Sequence, residues 1–212
     1  MKMTKRNLLI GAAVLGAGAC GFGGGEAMAA IATGSRAPAF SVQDANGQTR
    51  TLAEFAGRTV VLEWTNHGCP YVRKHYDAGN MQRLQREAAA SNIVWLQVIS
   101  SYPGAQGHLD AAGARARVQT DNAAPTATLL DPNGVMGRAY GARVTPHMFI
   151  INPQGVLVYQ GAIDDRPSAR PASLEGATNY VTAALADVAA GRAVRTSDTT
   201  PYGCTVKYEG VS

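Results

Sequence analysis

Unbroken apolar runs, rather than alternating ones, mark the strands of this chain. Thr59-Val60-Val61-Leu62-Glu63-Trp64 and Ile93-Val94-Trp95-Leu96-Gln97-Val98-Ile99 are β-branched and apolar at both parities. That is the pattern of strands covered on two faces. Shorter runs at Thr126 to Leu130 and at His147-Met148-Phe149-Ile150-Ile151 read the same way. They end in Asp131-Pro132-Asn133-Gly134 and Asn152-Pro153-Gln154-Gly155, which have the Asx, Pro and Gly spacing of a type I turn. The second turn leads into Val156-Leu157-Val158-Tyr159, so an antiparallel hairpin is expected there.

Helical patterns lie between the strands. From Pro70, Val72 and Tyr76 share a face, Gly79-Asn80 interrupts, and Leu84 and Ala88 resume it. Residues 105–120 read as a polar helix of indifferent periodicity, and a helix is expected around Leu174 to Ala190, stopped by Gly191. Near the start, Asn46-Gly47 marks a tight turn between two short strands. Strands alternating with helices predict an α/β layered domain, with no repeat and no linker long enough to divide it. The tail beyond residue 191 shows no regular element.

Composition narrows the class. The 212 residues are 46% hydrophobic and 16% charged, too apolar for a disordered chain. Lys2, Lys5 and Arg6 precede an apolar stretch of 12 residues, Leu8 to Ala19, shorter than the about 20 needed to span a bilayer. Ala27-Met28-Ala29 then offers a small-x-small cleavage pattern, so residues 1–29 read as an export signal and the mature chain as periplasmic. Lys5-Arg6 leaves a twin-arginine route open, and Ala17-Gly18-Ala19-Cys20 competes as a lipobox that would anchor the chain through Cys20. Cleavage after Ala29 lowers the formal charge from +4 to +2, with 16 bases and 14 acids. With no basic stripe, a nucleic-acid partner is not expected.

The mature chain keeps two cysteines, Cys69 and Cys204. Cys69 lies in Trp64-Thr65-Asn66-His67-Gly68-Cys69-Pro70-Tyr71-Val72, between a buried strand and a helix. Pro70 suits the first helical turn, so Cys69 falls at the N-cap, where free backbone N–H groups favour an anion. Such placement can lower a thiol pKa from ~8.5 into the range ~3.5–7.5. The expectation is an accessible, activated thiol at Cys69 and neither property at Cys204. His67 could add positive charge or carry a proton. Gly203 beside Cys204 reads as freedom for a segment that must move.

The order strand, Trp, Cys-Pro-x-x and helix, followed by Val144-Thr145-Pro146 before a core strand, resembles the thioredoxin superfamily. That resemblance spans residues 34–190. It implies a thioredoxin-like fold, a central mixed β-sheet flanked by helices, and a cis Thr145–Pro146 bond opposite Cys69. Asn66-His67-Gly68-Cys69-Pro70-Tyr71-Val72 and Pro201-Tyr202-Gly203-Cys204-Thr205-Val206-Lys207-Tyr208 are similar to paired signatures of the redoxin branch, the peroxiredoxin-like relatives of alkyl hydroperoxide reductase and thiol-specific antioxidant. The chain departs from both standard patterns. Leu62 and Asn66 stand where peroxiredoxins have Pro and Thr, Arg143 is the closest basic substitute for their second-site Arg, and Val72 replaces the second Cys of a dithiol thioredoxin.

What the resemblance implies is an exported thiol oxidoreductase with Cys69 as nucleophile and Cys204 resolving it. Thr65, Asn66, His67, Thr145 and Pro146 would support the site. The substrate would be a peroxide or a disulfide, with an outside thiol as reductant, no cofactor and no metal. A homodimer is left open, because Cys204 could reach Cys69 in its own chain or in a second copy. The rival reading is a copper-binding thioredoxin-fold chaperone, using Cys69, His67 and Cys204 with His147 or Met148 nearby.

Overall fold

The computed structural model describes residues 31–210. The export-signal and lipobox readings fall on residues outside that range. Among the described residues, no helix is long and apolar enough to cross a membrane.

The chain opens with a hairpin, β1 (Ser41–Gln43) and β2 (Thr49–Thr51), turned at Gly47 as the Asn-Gly pair predicts. Then come β3 (Val60–Trp64), α1 (Pro70–Asp77), α2 (Asn80–Ala90), β4 (Val94–Ile99), α3 (Ala111–Thr120), β5 (Ala127–Leu130) and α4 (Val135–Tyr140). The second half adds β6 (Val144–Thr145), β7 (His147–Ile151), β8 (Leu157–Gly161), α5 (Tyr180–Ala189) and β9 (Cys204–Thr205). Five strands form one mixed sheet in the order β5-β4-β3-β7-β8. β3, β4 and β5 run parallel, while β7 is antiparallel to β3 and to β8. β6 and β9 form a separate antiparallel pair.

Both faces of the sheet are covered, which is why apolar residues point to both sides of its inner strands. Side chains alternate along β3, so Leu62 and Trp64 enter one core layer with Leu96, Phe149 and Tyr140. Val61 enters the other, with Trp95, Ile150, Met81 of α2 and Val181 of α5. Trp64 meets Phe149 edge-on at 5.0 Å between ring centroids. β3 is therefore central, and its C-terminal end is where the chain turns into α1.

Differences from expectation lie at helix boundaries. Gly79, at φ +70°, divides α1 from α2 where the pattern broke. The helix expected over 105–120 begins only at Ala111, because the Asp110 side chain accepts from Gly113 N–H at 2.7 Å and caps it. The helix expected from Leu174 starts at Tyr180, capped by Asn179, with a single 3-10 turn at Pro171–Leu174 before it. α4 is an element the sequence pattern did not disclose; its six residues include Gly137 and are too few to show a period. The tail is not irregular either. It contributes β9, and its Val206 and Tyr208 enter the core.

Candidate active site

At the end of β3 the chain makes a tight connection before α1. Asn66 is buried, and its side-chain oxygen accepts from Gly68 N–H at 2.9 Å, while its carbonyl accepts from Cys69 N–H at 3.0 Å. This Asx turn delivers Cys69 to the N-cap of α1 with extended backbone (φ −85°, ψ 122°) and Pro70 immediately inside the helix. The Cys69 carbonyl takes up the N–H groups of Val72 and Arg73 at 3.0 and 2.9 Å.

The Thr145–Pro146 bond is cis, and the Cys69 thiol donates to the Thr145 carbonyl at 3.1 Å across 76 residues of sequence. β6 pairs with β9 so that Thr145 stands opposite Cys204 and Val144 opposite Thr205. The Thr145 hydroxyl also donates to the Cys204 carbonyl at 3.3 Å. This pairing lays Cys204 against Cys69 within one chain. Both are free thiols. Burial pushes the Cys204 thiol up to about 12, and the neighbouring Cys69 adds to the shift.

Exposure reverses the expected order of the two thiols. Cys69 is 0% exposed, sealed beneath the tail, whereas Cys204 is only partly buried. The correction has a nonlocal cause, since Thr145, which touches the thiol, lies 76 positions later and Cys204, which lies against it, later still. Gly203 is likewise not a hinge. Its φ is +145°, and a Cβ there would collide with the Thr145 carbonyl, so glycine permits the tail backbone to lie directly on the cis-proline turn.

Tyr202 fixes the tail just before Cys204. Its hydroxyl accepts from Lys74 Nζ at 2.9 Å and donates to Asp164, and its ring meets Tyr71 edge-on at 5.8 Å. Lys74 Nζ also lies 3.1 Å from Asp164 Oδ2 and donates to the Arg166 carbonyl at 2.8 Å, with both charged side chains essentially inaccessible. Downstream of Cys204, Val206 N–H donates to the Arg143 carbonyl at 2.9 Å and Tyr208 donates to the Ala142 carbonyl at 2.7 Å.

Of the residues singled out from sequence, Cys69, Cys204, Thr145 and Pro146 converge. Thr65, Asn66 and His67 line a small cavity of about 20 Å³ toward α3, which Cys69 does not line, while the Asn66 turn sets the position of Cys69. Burial, then Arg117, lowers the His67 pKa below its ordinary 6.5, which works against a positive charge on the ring. Arg143 is exposed, and its backbone N–H lies 3.4 Å from the buried His147 ring. Burial drives His147 down to about 3. Among the described residues, no group of three or more His, Cys, Asp or Glu is placed to hold a metal ion.

Two polar features escaped the sequence reading. The Lys74–Asp164–Tyr202 cluster joins three distant segments and left no local signal. Glu63 left one, a lone carboxylate in an apolar strand. It is fully buried and accepts from Tyr76 at 2.6 Å, Trp95 at 2.7 Å and Gln85 at 3.2 Å. Burial outweighs these donors and raises its pKa to about 7.

A family profile described as AhpC/TSA matches residues 33–160, more than half of the chain. The chain belongs to the AhpC/TSA family. Its membership agrees with a redoxin-branch, thioredoxin-like fold, and solved structures repeat the architecture. A hypothetical protein from Sinorhizobium meliloti matches with a TM-score of 0.75 at 27% identity, over 86% of this chain and 98% of that one. An uncharacterized conserved protein from Geobacillus kaustophilus matches at 0.73 and 21% identity, over 85% and 94%. The thioredoxin domain of a thiol-disulfide oxidoreductase from Bacteroides vulgatus matches at 0.50 and 20% identity, over 69% and 98%. No curated protein matches the sequence.

Proposed function

We propose that this AhpC/TSA family protein is an exported thiol–disulfide oxidoreductase whose redox couple is Cys69 and Cys204. The observation that carries the reading is the β6–β9 pairing, which lays Cys204 against Cys69 beside the cis-proline turn. A couple held in contact needs no unfolding to close. The Cys69–Cys204 disulfide takes two electrons and two protons from two outside thiols, which leave joined as a disulfide. Run in reverse, the dithiol reduces an outside disulfide. Export rests on the pattern of residues 1–29.

Family membership favours a second reading, peroxide reduction. There the Cys69 thiolate attacks the O–O bond, an alcohol or water leaves, and the sulfenic acid condenses with Cys204 to release water. Both routes end in the same disulfide. Peroxide attack requires that Cys69 be uncovered first, whereas exchange can begin at the partly exposed Cys204.

Non-reducing peptide mapping after one equivalent of hydrogen peroxide, or of oxidised glutathione, tests the couple. A cross-linked Cys69–Cys204 peptide from monomeric protein is expected. Sulfenic or sulfinic Cys69 with Cys204 still free would overturn it. Stopped-flow oxidation by hydrogen peroxide, run beside insulin-disulfide reduction, decides between the two substrates.

A further inference from the structure

We propose that Tyr202, held by Lys74 and Asp164, is a positioning residue that clasps the Cys204 strand over Cys69 and thereby sets the redox equilibrium of the pair. The proposal rests on the Cys69–Cys204 couple described above. The strand β9 hangs between two anchors, and they grip different parts of the molecule. The downstream anchor, Val206 and Tyr208, is fastened to the loop before β6 and to the core. The upstream anchor is fastened to α1, the helix that Cys69 caps. Lys74 lies five residues after Cys69, and Tyr202 lies two before Cys204. The upstream contact therefore adds to the β6–β9 pairing a second tie, one that holds Cys204 to the helix Cys69 caps.

The clasp is built to hold one geometry. Lys74 and Asp164 are sealed from water at 0% and 1% side-chain exposure, so each depends on protein partners for its hydrogen bonds. A buried charge left without a partner is costly, and the Tyr202 hydroxyl serves both charges at once, accepting from Lys74 and donating to Asp164. Asp164 is held in turn by the Arg166 N–H at 2.8 Å. The Lys74 ammonium also stands 5.1 Å from the centroid of the Tyr202 ring, whose edge packs on Tyr71 of α1. Opening the tail would strip a shared partner from two buried charges.

Holding two thiols together raises their effective concentration and favours the disulfide over the dithiol. By linkage, whatever the disulfide contributes to docking the tail, the docked tail contributes to the disulfide. Loss of the clasp should shift the equilibrium (protein disulfide plus two glutathione against protein dithiol plus glutathione disulfide) toward the dithiol. The same loss should uncover Cys69.

Tyr202→Phe removes only the hydroxyl and keeps the ring. The full chain and this variant are equilibrated in glutathione buffers of graded ratio, quenched in acid and mapped. The expected shift is about tenfold toward the dithiol, the scale of one hydrogen bond to a charged group, or about 30 mV. Iodoacetamide labelling of Cys69 in the reduced protein should accelerate together with it. A side chain that only stabilises the fold would weaken both redox forms alike and leave the equilibrium unmoved. An unchanged equilibrium in Tyr202→Phe, with the wild type forming its disulfide, overturns the clasp. A wild type that forms no Cys69–Cys204 disulfide overturns the couple itself. Tyr71→Leu loosens the Tyr202 ring without touching a buried charge, and should shift the equilibrium in the same direction by less; no shift there overturns the clasp if Tyr202→Phe does not fold.

Discussion

Glu63 makes the stability of this protein depend on pH in a direction opposite to an ordinary carboxylate. In the unfolded chain its pKa is 4.5, and in the folded protein burial raises it to about 7. Between those values the folded state holds a proton that the unfolded state has released. Stability is therefore fully present below about pH 4.5 and falls as pH rises toward about 7. Each pH unit in that window removes about 1.4 kcal/mol, or roughly 3 kcal/mol across it. Two buried histidines work against this slope. His75 and His147 sit at about 4 and about 3, so below 6.5 the unfolded chain gains protons that the fold refuses, and stability rises with pH. The comparison must therefore be a difference. Glu63→Gln removes the titrating group while retaining a carbonyl acceptor for Trp95 and Gln85, and both histidines remain. Urea unfolding of the reduced wild type and of Glu63→Gln, from pH 4.5 to 8, should give a stability difference that shifts by roughly 3 kcal/mol in favour of the variant as pH rises. A difference that stays flat with pH would mean that three donors hold Glu63 ionised throughout, and would refute the reasoning.

Gly203→Ala should displace β9, because its Cβ would strike the Thr145 carbonyl; the expected loss exceeds about 1 kcal/mol in urea unfolding, with a lower yield of the Cys69–Cys204 disulfide. The raised Cys204 thiol predicts that its alkylation rises by about tenfold per pH unit through pH 10 without levelling, since only the thiolate reacts. A plateau below pH 9 in peptide-resolved iodoacetamide rates would contradict its burial-driven shift.

Much of the architecture was legible locally. The runs at Val60–Trp64 and Val94–Ile99 announced strands covered on both faces, and the Asn-Gly and Asn-Pro-Gln-Gly turns announced two hairpins. Cys69 before Pro70 announced a helix N-cap, and the resemblance of Val144-Thr145-Pro146 to the thioredoxin superfamily implied the proline turn that meets it. Helix starts were less legible, since Asp110 and Asn179 set them through single side-chain hydrogen bonds that a hydrophobic period does not register. α4 was missed because six residues with a central glycine carry no period.

By itself, then, the sequence determined the strand and helix order and the thiol at the head of α1. These follow from backbone propensity, steric restriction at proline and the period of apolar side chains, all of which act over a few residues. Only the tertiary structure decided that Cys204 lies against Cys69, that the nucleophile candidate is sealed while its partner is partly exposed, and that Lys74, Asp164 and Tyr202 lock the tail between them. Burial and long-range hydrogen bonds made those choices. Lys74 and Tyr202 are 128 residues apart, and no local pattern tells a lysine that its ammonium will lie away from water.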